Sequence, residues 1–414
     1  VNLIHTVTIL VCLSAGFSYL NHRFIKLPMT IGLMAIALLM SLVLLILGKM
    51  GFVIVQEAES FIRGVDFNVA LLGGMLSLLL FAGALHVNLD DLLEQKWSIG
   101  LLSSLGVVFS TFVIGLLTFY LFGLIGLDLP LMSCFLFGAL ISPTDPIAVL
   151  GILKKAGVPK SLEVKITGES LFNDGVGVVV FLVLLTMAST GRTTAADILL
   201  LFVQETAGGA MIGFALGYLA YRMLKSVDQH QIELLITLAL AMGSYALADA
   251  LHTSGPIAVV VAGLFIGNHG RHFAMSDTTL EYLDTFWELV DELLNAVLFV
   301  LIGLEVLVLS FRPQYLEAGL IAIPVVLLAR AVSVGIPMRL FSLLRLVDHG
   351  GMGVMIWGGL RGGISVALAL SLPPGEPRDA LLTITYAVVA FSILVQGLTL
   401  GRAVSLASRP SAAG

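Results

Sequence analysis

Charge is what this chain has least of. Aspartate, glutamate, lysine and arginine make up 12% of its 414 residues, whereas a water-soluble chain uses about a quarter. So few polar groups cannot cover the surface of a soluble domain, and that class is excluded. Cysteine is nearly absent. Cys12 and Cys134 both sit inside apolar runs, which reads as packing rather than pairing and says nothing of redox compartment. The net charge of −6 gives no reason to expect nucleic acid. No small-residue cleavage site follows the apolar run from Leu3 to Leu20. Asn21-His22-Arg23 and a second apolar run come instead, so a helical hairpin is expected there and not a secretory leader. No strand precedes any of the glycine pairs, which removes a nucleotide fingerprint.

What is abundant is apolar sequence, at 58% of residues and a mean hydropathy of +1.05. A helix crosses hydrocarbon with roughly 20 apolar residues. Such runs are expected near 3–20, 27–47, 68–86, 98–123, 131–153, 162–188, 196–224, 231–250, 255–268, 282–309, 315–343, 350–372 and 379–404, about thirteen spans. Segment 255–268 is short, and 48–67 has room for an interfacial helix. The runs are long and unalternating, which excludes a barrel. The expected fold class is an all-α polytopic membrane protein.

Basic residues orient the spans. Arg23, Lys26, Lys96, Lys154, Lys155, Lys160, Arg222, Lys225, Arg271, Arg339, Arg345, Arg402 and Arg409 fall on one side; Lys49, Arg63, Arg192, Arg312 and Arg378 fall on the other. The majority side is expected in the cytoplasm, with the amino terminus outside and the carboxyl terminus inside. Beyond about residue 404 only a short tail is expected.

Ionisable groups at bilayer depth are costly and mark pathways or relays. Asp145, Glu169, Asp174, Arg330 and Arg361 are read as deep, with Asp249 and Glu305 nearer span ends. Asp145 lies in Ser142-Pro143-Thr144-Asp145-Pro146, where each proline lacks an N–H. The carbonyls of Ala139 and Ser142 should lose their helical partners, and the span should unwind around Thr144 and Asp145. Hard cations favour the oxygens this frees; the plainer reading is a proline kink. On the next span, at about 100° per residue, Glu169 and Asn173 stack on one face while Ser170 and Asp174 stack on the adjoining one. Gly168, Gly175 and Gly177 permit close backbone approach. Here the alternative is a structural polar seam.

Arg330 needs a counter-charge if buried, and Glu169 is the candidate; otherwise it snorkels to the interface. Arg361 sits in Gly358-Gly359-Leu360-Arg361-Gly362-Gly363, a second weak point. Two interrupted spans in corresponding halves point to a transporter site at the midplane, with Arg361 set against half-helix ends and opposite Asp145. Asp284, Glu288 and Asp291 share a helix face, which is either an acidic entrance or an ordinary solvated surface. His269 and His272 lack a third ligand and read as solvent-exposed. Asn295 either lines the pathway or bonds a neighbouring helix.

Gly168-Glu169-Ser170-Leu171-Phe172-Asn173-Asp174-Gly175, Ser142-Pro143-Thr144-Asp145-Pro146 and Gly358-Gly359-Leu360-Arg361-Gly362-Gly363 together resemble the NhaP-type sodium/proton antiporters of the monovalent cation/proton antiporter superfamily. The likeness covers nearly the whole membrane region, and the lack of a large tail looks like the prokaryotic branch. It implies thirteen helices with inverted repeats and two discontinuous crossed helices. It also implies a homodimer in a prokaryotic inner membrane and an elevator-like movement of a six-helix core. That core would comprise residues 98–190 and 311–414, the latter with the tail, and the dimerisation part residues 1–97 and 191–310.

By the same resemblance Asp174 carries the ion or the proton, while Asp145, Ser170 and the Thr144 backbone complete the sodium shell. Glu169 pairs with Arg330, and Asn173, where electrogenic relatives carry aspartate, favours electroneutral exchange of one sodium or lithium ion for one proton. No cofactor and no enzyme activity are implied. Potassium/proton exchange is the nearest alternative, a cation channel is a more distant one, and an intramembrane aspartyl protease built on Asp145 and Asp174 is more distant still.

Overall fold

The chain crosses the bilayer as helices because only a helix satisfies each backbone N–H and C=O within its own segment. A computed structural model describes residues 3–50, 60–62, 74–156, 158–190, 194–343 and 351–407, and no strand occurs among them. The expected interfacial helix within 48–67, the start of the span at 68–86, and Arg63, Arg192, Arg345 and Arg409 lie outside or largely outside the described residues.

In chain order the helices are α1 (Ile4–Ile25), α2 (Met29–Lys49), α3 (Leu76–Leu85), α4 (Leu89–Glu94), α5 (Lys96–Leu124), α6 (Leu131–Ile141), α7 (Ile147–Ala156) and α8 (Lys160–Thr190). There follow α9 (Ala195–Leu224), α10 (His230–Ala250), α11 (Gly255–Gly270), α12 (Asp277–Glu305), α13 (Pro313–Leu343), α14 (Met352–Trp357), α15 (Gly363–Leu370) and α16 (Glu376–Ser405). Among the described residues 8 helices are long and apolar enough to cross a membrane by length and composition alone, and α3, α6 and α11 are shorter apolar helices. By that measure the crossings number fewer than the thirteen read from the sequence. The two interrupted spans fall below it because each is split into short halves, and α12 is absent from the set because it carries several acidic residues. The chain is a multi-pass membrane protein.

Two packing groups organise these helices. In one, α5 lies on α6 and α13, α8 packs against α6, and α13 and α15 both lie on α16. In the other, α9, α10 and α3 surround α11, while α12 lies along α2 and touches α1, α3 and α10. The first group contains a repeated pattern of unbroken, broken and unbroken helix: α5, α6/α7, α8 and then α13, α14/α15, α16. Wide π-turns interrupt the first group at Leu101–Leu105 and Ser392–Gln396. α9 is the least buried of these 8 long apolar helices, with 11% of its most apolar window covered by the rest of the chain.

Cys134 is buried, Cys12 is exposed, and both are free thiols. His269 is exposed, as expected, but lies in the π-turn that ends α11 rather than in a loop, and it stacks on Phe265 at 5.5 Å between ring centres. The side chain of His272 lies outside the described residues.

Candidate functional site

Both expected breaks occur. The chain leaves helical geometry from Ser142 to Pro146, between α6 and α7, and again from Gly358 to Gly362, between α14 and α15. Proline explains the first, since the carbonyls that Pro143 and Pro146 would have engaged have no N–H to accept. Glycine explains the second: four glycines around Leu360 and Arg361 give the backbone no side chains to hold a helix against competing contacts. The breaks meet in space. The Asp145 N–H donates to the Leu360 carbonyl at 2.8 Å, so each break satisfies part of the other.

Arg361 completes the crossing. Its guanidinium Nη1 donates to the carbonyls of Ser142 and of Pro143, the latter at 2.9 Å. These are the open carbonyls at the C-terminal end of α6, where partial negative charge collects. The Arg361 N–H in turn donates to Ser392 Oγ at 2.9 Å, and Gln396 Nε2 donates to the Trp357 carbonyl at 2.9 Å. Both acceptor and donor come from the π-turn of α16. Nothing in the sequence singled out Ser392 or Gln396; the only signal was two polar residues four apart inside an apolar run.

On the other side of the first break, α8 presents four polar residues. Asn173 Nδ2 donates to Thr144 Oγ1 at 2.8 Å, and the Thr144 N–H donates to Asn173 Oδ1 at 3.3 Å. Thr144 Oγ1 lies 3.1 Å from Ser170 Oγ. Thr144, Ser170 and Asn173 are all buried. Asp145 Oδ1 accepts from the Ile147 N–H at 2.9 Å, capping the N-terminus of α7 where orphan donors point. Asp174 is 8% exposed and feels the Asp145 carboxylate. Close approach of α8 to the break is possible because position 177 is glycine: a Cβ there would lie 2.3 Å from Pro143 Cγ.

Glu169 has a different environment. Arg330 on α13 grips it through Nη1 to Oε1 and Nη2 to Oε2, the latter at 2.9 Å. The same guanidinium donates to the Met355 carbonyl through Nη2 at 3.0 Å and Nε at 3.3 Å. It thus ties α8, α13 and α14 together. Gly359 makes room for it, since a Cβ there would meet Arg330 Nε at 2.5 Å. The carboxylate is 1% exposed and the arginine 7%, so Arg330 does not reach the interface. Glu169, Asn173, Arg330, Arg361, Ser142 and Ser110 line one small polar cavity.

Every residue singled out for the site therefore falls within one cluster around the crossed breaks. Asp174 and Asp145 take part in no ion pair among the described residues, while Glu169 does. This places a hydroxyl pair, an amide and two uncompensated carboxylates where backbone carbonyls have been released. Such a set suits a hard, dehydrated monovalent cation, which is bound by oxygens, and a carboxylate can carry a proton in its place. The acidic face of α12 is only partly free, because Asp284 Oδ2 accepts from Arg271 Nη1 at 2.9 Å and Glu288 is exposed.

Residues 9–406 match the model of a family described as sodium/hydrogen exchanger, transmembrane. The chain is 52% identical over 397 residues to the Na(+)/H(+) antiporter NhaP of Pseudomonas aeruginosa, covering 94% of each. It is 38% identical over 368 residues to the Na(+)/H(+) antiporter NhaH of Halobacillus aidingensis, covering 87% of this chain and 88% of that one. Its fold is similar to that of the sodium proton antiporter MjNhaP1 from Methanocaldococcus jannaschii at pH 8, with a TM-score of 0.76 at 17% identity, over 98% of this chain and 100% of the other. With nearly its whole length matched in sequence and in fold, this chain belongs to the sodium/hydrogen exchanger family.

Proposed function

We propose that the protein exchanges one sodium ion (or lithium ion) for one proton per cycle, electroneutrally, with both competing for Asp174. One observation carries this reading: Asp174 and Asp145 converge on the first break without a cationic partner among the described ion pairs. Two nearby carboxylates that no protein cation neutralises are held most easily with a mobile cation or a proton between them. Asp145, Ser170 and Thr144 supply the remaining oxygens of the ion's shell. Asn173, neutral and fully engaged with Thr144, adds no charge to the count.

A carboxylate that holds either cargo but never both enforces one-for-one trade. Crossed half-helices, fixed by Arg361 and by the Glu169–Arg330 pair, make the site a rigid unit. Its travel between the two faces belongs to the six-helix group of residues 98–190 and 311–414, moving against residues 1–97 and 191–310, through which two copies pair. The loop arginines and lysines support an inner-membrane placement with the amino terminus outside.

The test is flux in sealed vesicles carrying a pH dye. Sodium or lithium should dissipate an imposed pH gradient at a rate unchanged when the membrane potential is clamped at different values, and potassium should do so far less. Asp174→Asn should show no sodium-dependent proton movement while still inserting as a monodisperse protein. Wild-type exchange by that variant removes Asp174 from the role; a rate that follows voltage removes the one-for-one stoichiometry; potassium flux equal to sodium flux assigns the alternative cargo.

A further inference from the structure

Helix α12 lies in the second packing group, yet it touches α15, the half-helix that starts at the arginine break. Position 363, at the start of that half-helix, is glycine, and a Cβ there would sit 2.6 Å from Leu298 Cδ1. Counting back along α12 from Leu298, the same face carries Asn295, Asp291 and Asp284, at intervals of three, four and seven residues. A helix repeats its face at these spacings. One stripe therefore runs from the amino-terminal end of α12 to the wall of the crossed breaks.

The polar members of that stripe differ sharply. Asp284 is occupied by Arg271, with His86 Nε2 at 3.5 Å. Asp291 is partly buried and enters none of the ion pairs among the described residues. Its carboxylate feels that of Asp145 across the boundary between the two packing groups. Asn295, one turn further in, lies within reach of a loose hydrogen bond to Asp291. It is 3% exposed, and neither its Nδ2 nor its Oδ1 has a hydrogen-bond partner of normal geometry. A buried amide whose hydrogen bonds are poorly made is costly. Glu288 shares this face but is exposed to solvent, and Glu292 is exposed and turned away from it.

We propose that Asp291 and Asn295 form a waiting site for the transported monovalent cation, from which the ion passes to Asp145 and Asp174. This rests on the exchange reading above and adds to it a second station, on the helix that does not belong to the breaks. Asp291 supplies the charge that draws the cation away from water. Asn295 Oδ1 supplies a neutral oxygen that replaces part of the lost hydration. Arg271 keeps Asp284 from competing for the ion and Glu288 is exposed to water, so Asp291 is the first partly buried carboxylate on the stripe with a free charge.

The experiment compares Asp291→Asn, Asp291→Glu, Asn295→Leu, Asp284→Asn and Asp174→Asn in vesicles, reading the apparent KM for sodium at about 0.1 M and about 1 M choline chloride. Over that range the screening length falls from about 10 Å to about 3 Å, so effects of surface charge fade and those of direct contact persist. Asp291→Asn is expected to raise the KM about tenfold at both salt concentrations with maximal rate largely kept, Asn295→Leu to raise it about threefold, and Asp291→Glu to stay near wild type. Asp284→Asn should lose whatever effect it has in high salt. A wild-type KM in Asp291→Asn, or a rise that high salt abolishes, overturns the proposal. Should that variant not fold, Asn295→Leu carries the test, and a wild-type KM there has the same force. Asp174→Asn separates the two readings: its retained exchange would overturn the parent mechanism, whatever Asp291 does.

Discussion

Glu169 and Asp174 stand five residues apart on α8, and their surroundings are opposite. Glu169 is met by a forked guanidinium that also holds a backbone carbonyl of α14. Asp174 feels another carboxylate and, among the described residues, is in no ion pair. The first arrangement is a closed account of charge inside the protein. The second leaves a charge that, on the function proposed above, a transported cation or a proton balances. One helix thus serves as a strut and, on the function proposed above, as half of a binding site. What decides which carboxylate does which is the helix that faces it: α13 brings an arginine, and the break between α6 and α7 brings an aspartate.

The largest effect that would sharpen this contrast is on the closed side. Glu169→Gln leaves Arg330 buried and unpaired, and breaking such a pair costs about 3–5 kcal/mol. A melting experiment in detergent should show a large loss of stability for Glu169→Gln. It should show substantial recovery in the double variant Glu169→Leu, Arg330→Met, since an apolar replacement of a buried pair is often tolerated. Equal stability of Glu169→Gln and wild type would erase the distinction between the two carboxylates.

A smaller effect tests the fit of α8 against the break. Gly177→Ala places a methyl group on Pro143, and overpacking of this kind costs about 1–3 kcal/mol. Exchange should fall with stability. Gly151→Ala, on α7 where nothing lies within 4 Å of the added carbon, should leave both intact or stabilise slightly. If the two variants behave alike, the contact between α8 and Pro143 does not position the site.

The smallest effect lies on the open side. Ser170→Ala removes the hydroxyl paired with Thr144 and should leave the melting temperature almost unchanged. A neutral hydrogen bond contributes about 0.5–1.5 kcal/mol. If that interaction serves the cation, the KM for sodium should rise by roughly two- to tenfold. Lost stability with unchanged KM would move Ser170 from the binding side to the structural side.

Much of this was legible in the sequence because the features concerned are violations. A proline pair around Thr144 and Asp145, glycines around Arg361, and carboxylates in apolar runs all break the rule for a membrane helix. Rule-breaking stands out residue by residue. The pairing of Glu169 with Arg330 was also readable as a demand, since two buried opposite charges have few other ways to be satisfied.

What was not legible depends on partners remote in sequence. Ser392 and Gln396 look like any serine and glutamine until the π-turn of α16 aims them at the second break. Arg271 and Asp284 sit in different helices, and only their meeting shows that part of the acidic face is neutralised. Where a run is broken was legible only at its prolines and glycines: apolar length alone does not say whether a run is one helix or two halves.

The crossing of the breaks also bears on how the molecule is built. Arg361 and the Ser142 carbonyl it holds are 219 positions apart, and Arg330 and Glu169 are 161 apart. Synthesis delivers α6, α7 and α8 to the membrane long before either arginine exists. Until then the loosened turn around Thr144 has open carbonyls, and Glu169 has no counter-charge. The amino-terminal half must therefore spend its early life with these groups hydrated, protonated or shielded by insertion machinery. Completion of the fold is a late event that begins when the last third of the chain arrives.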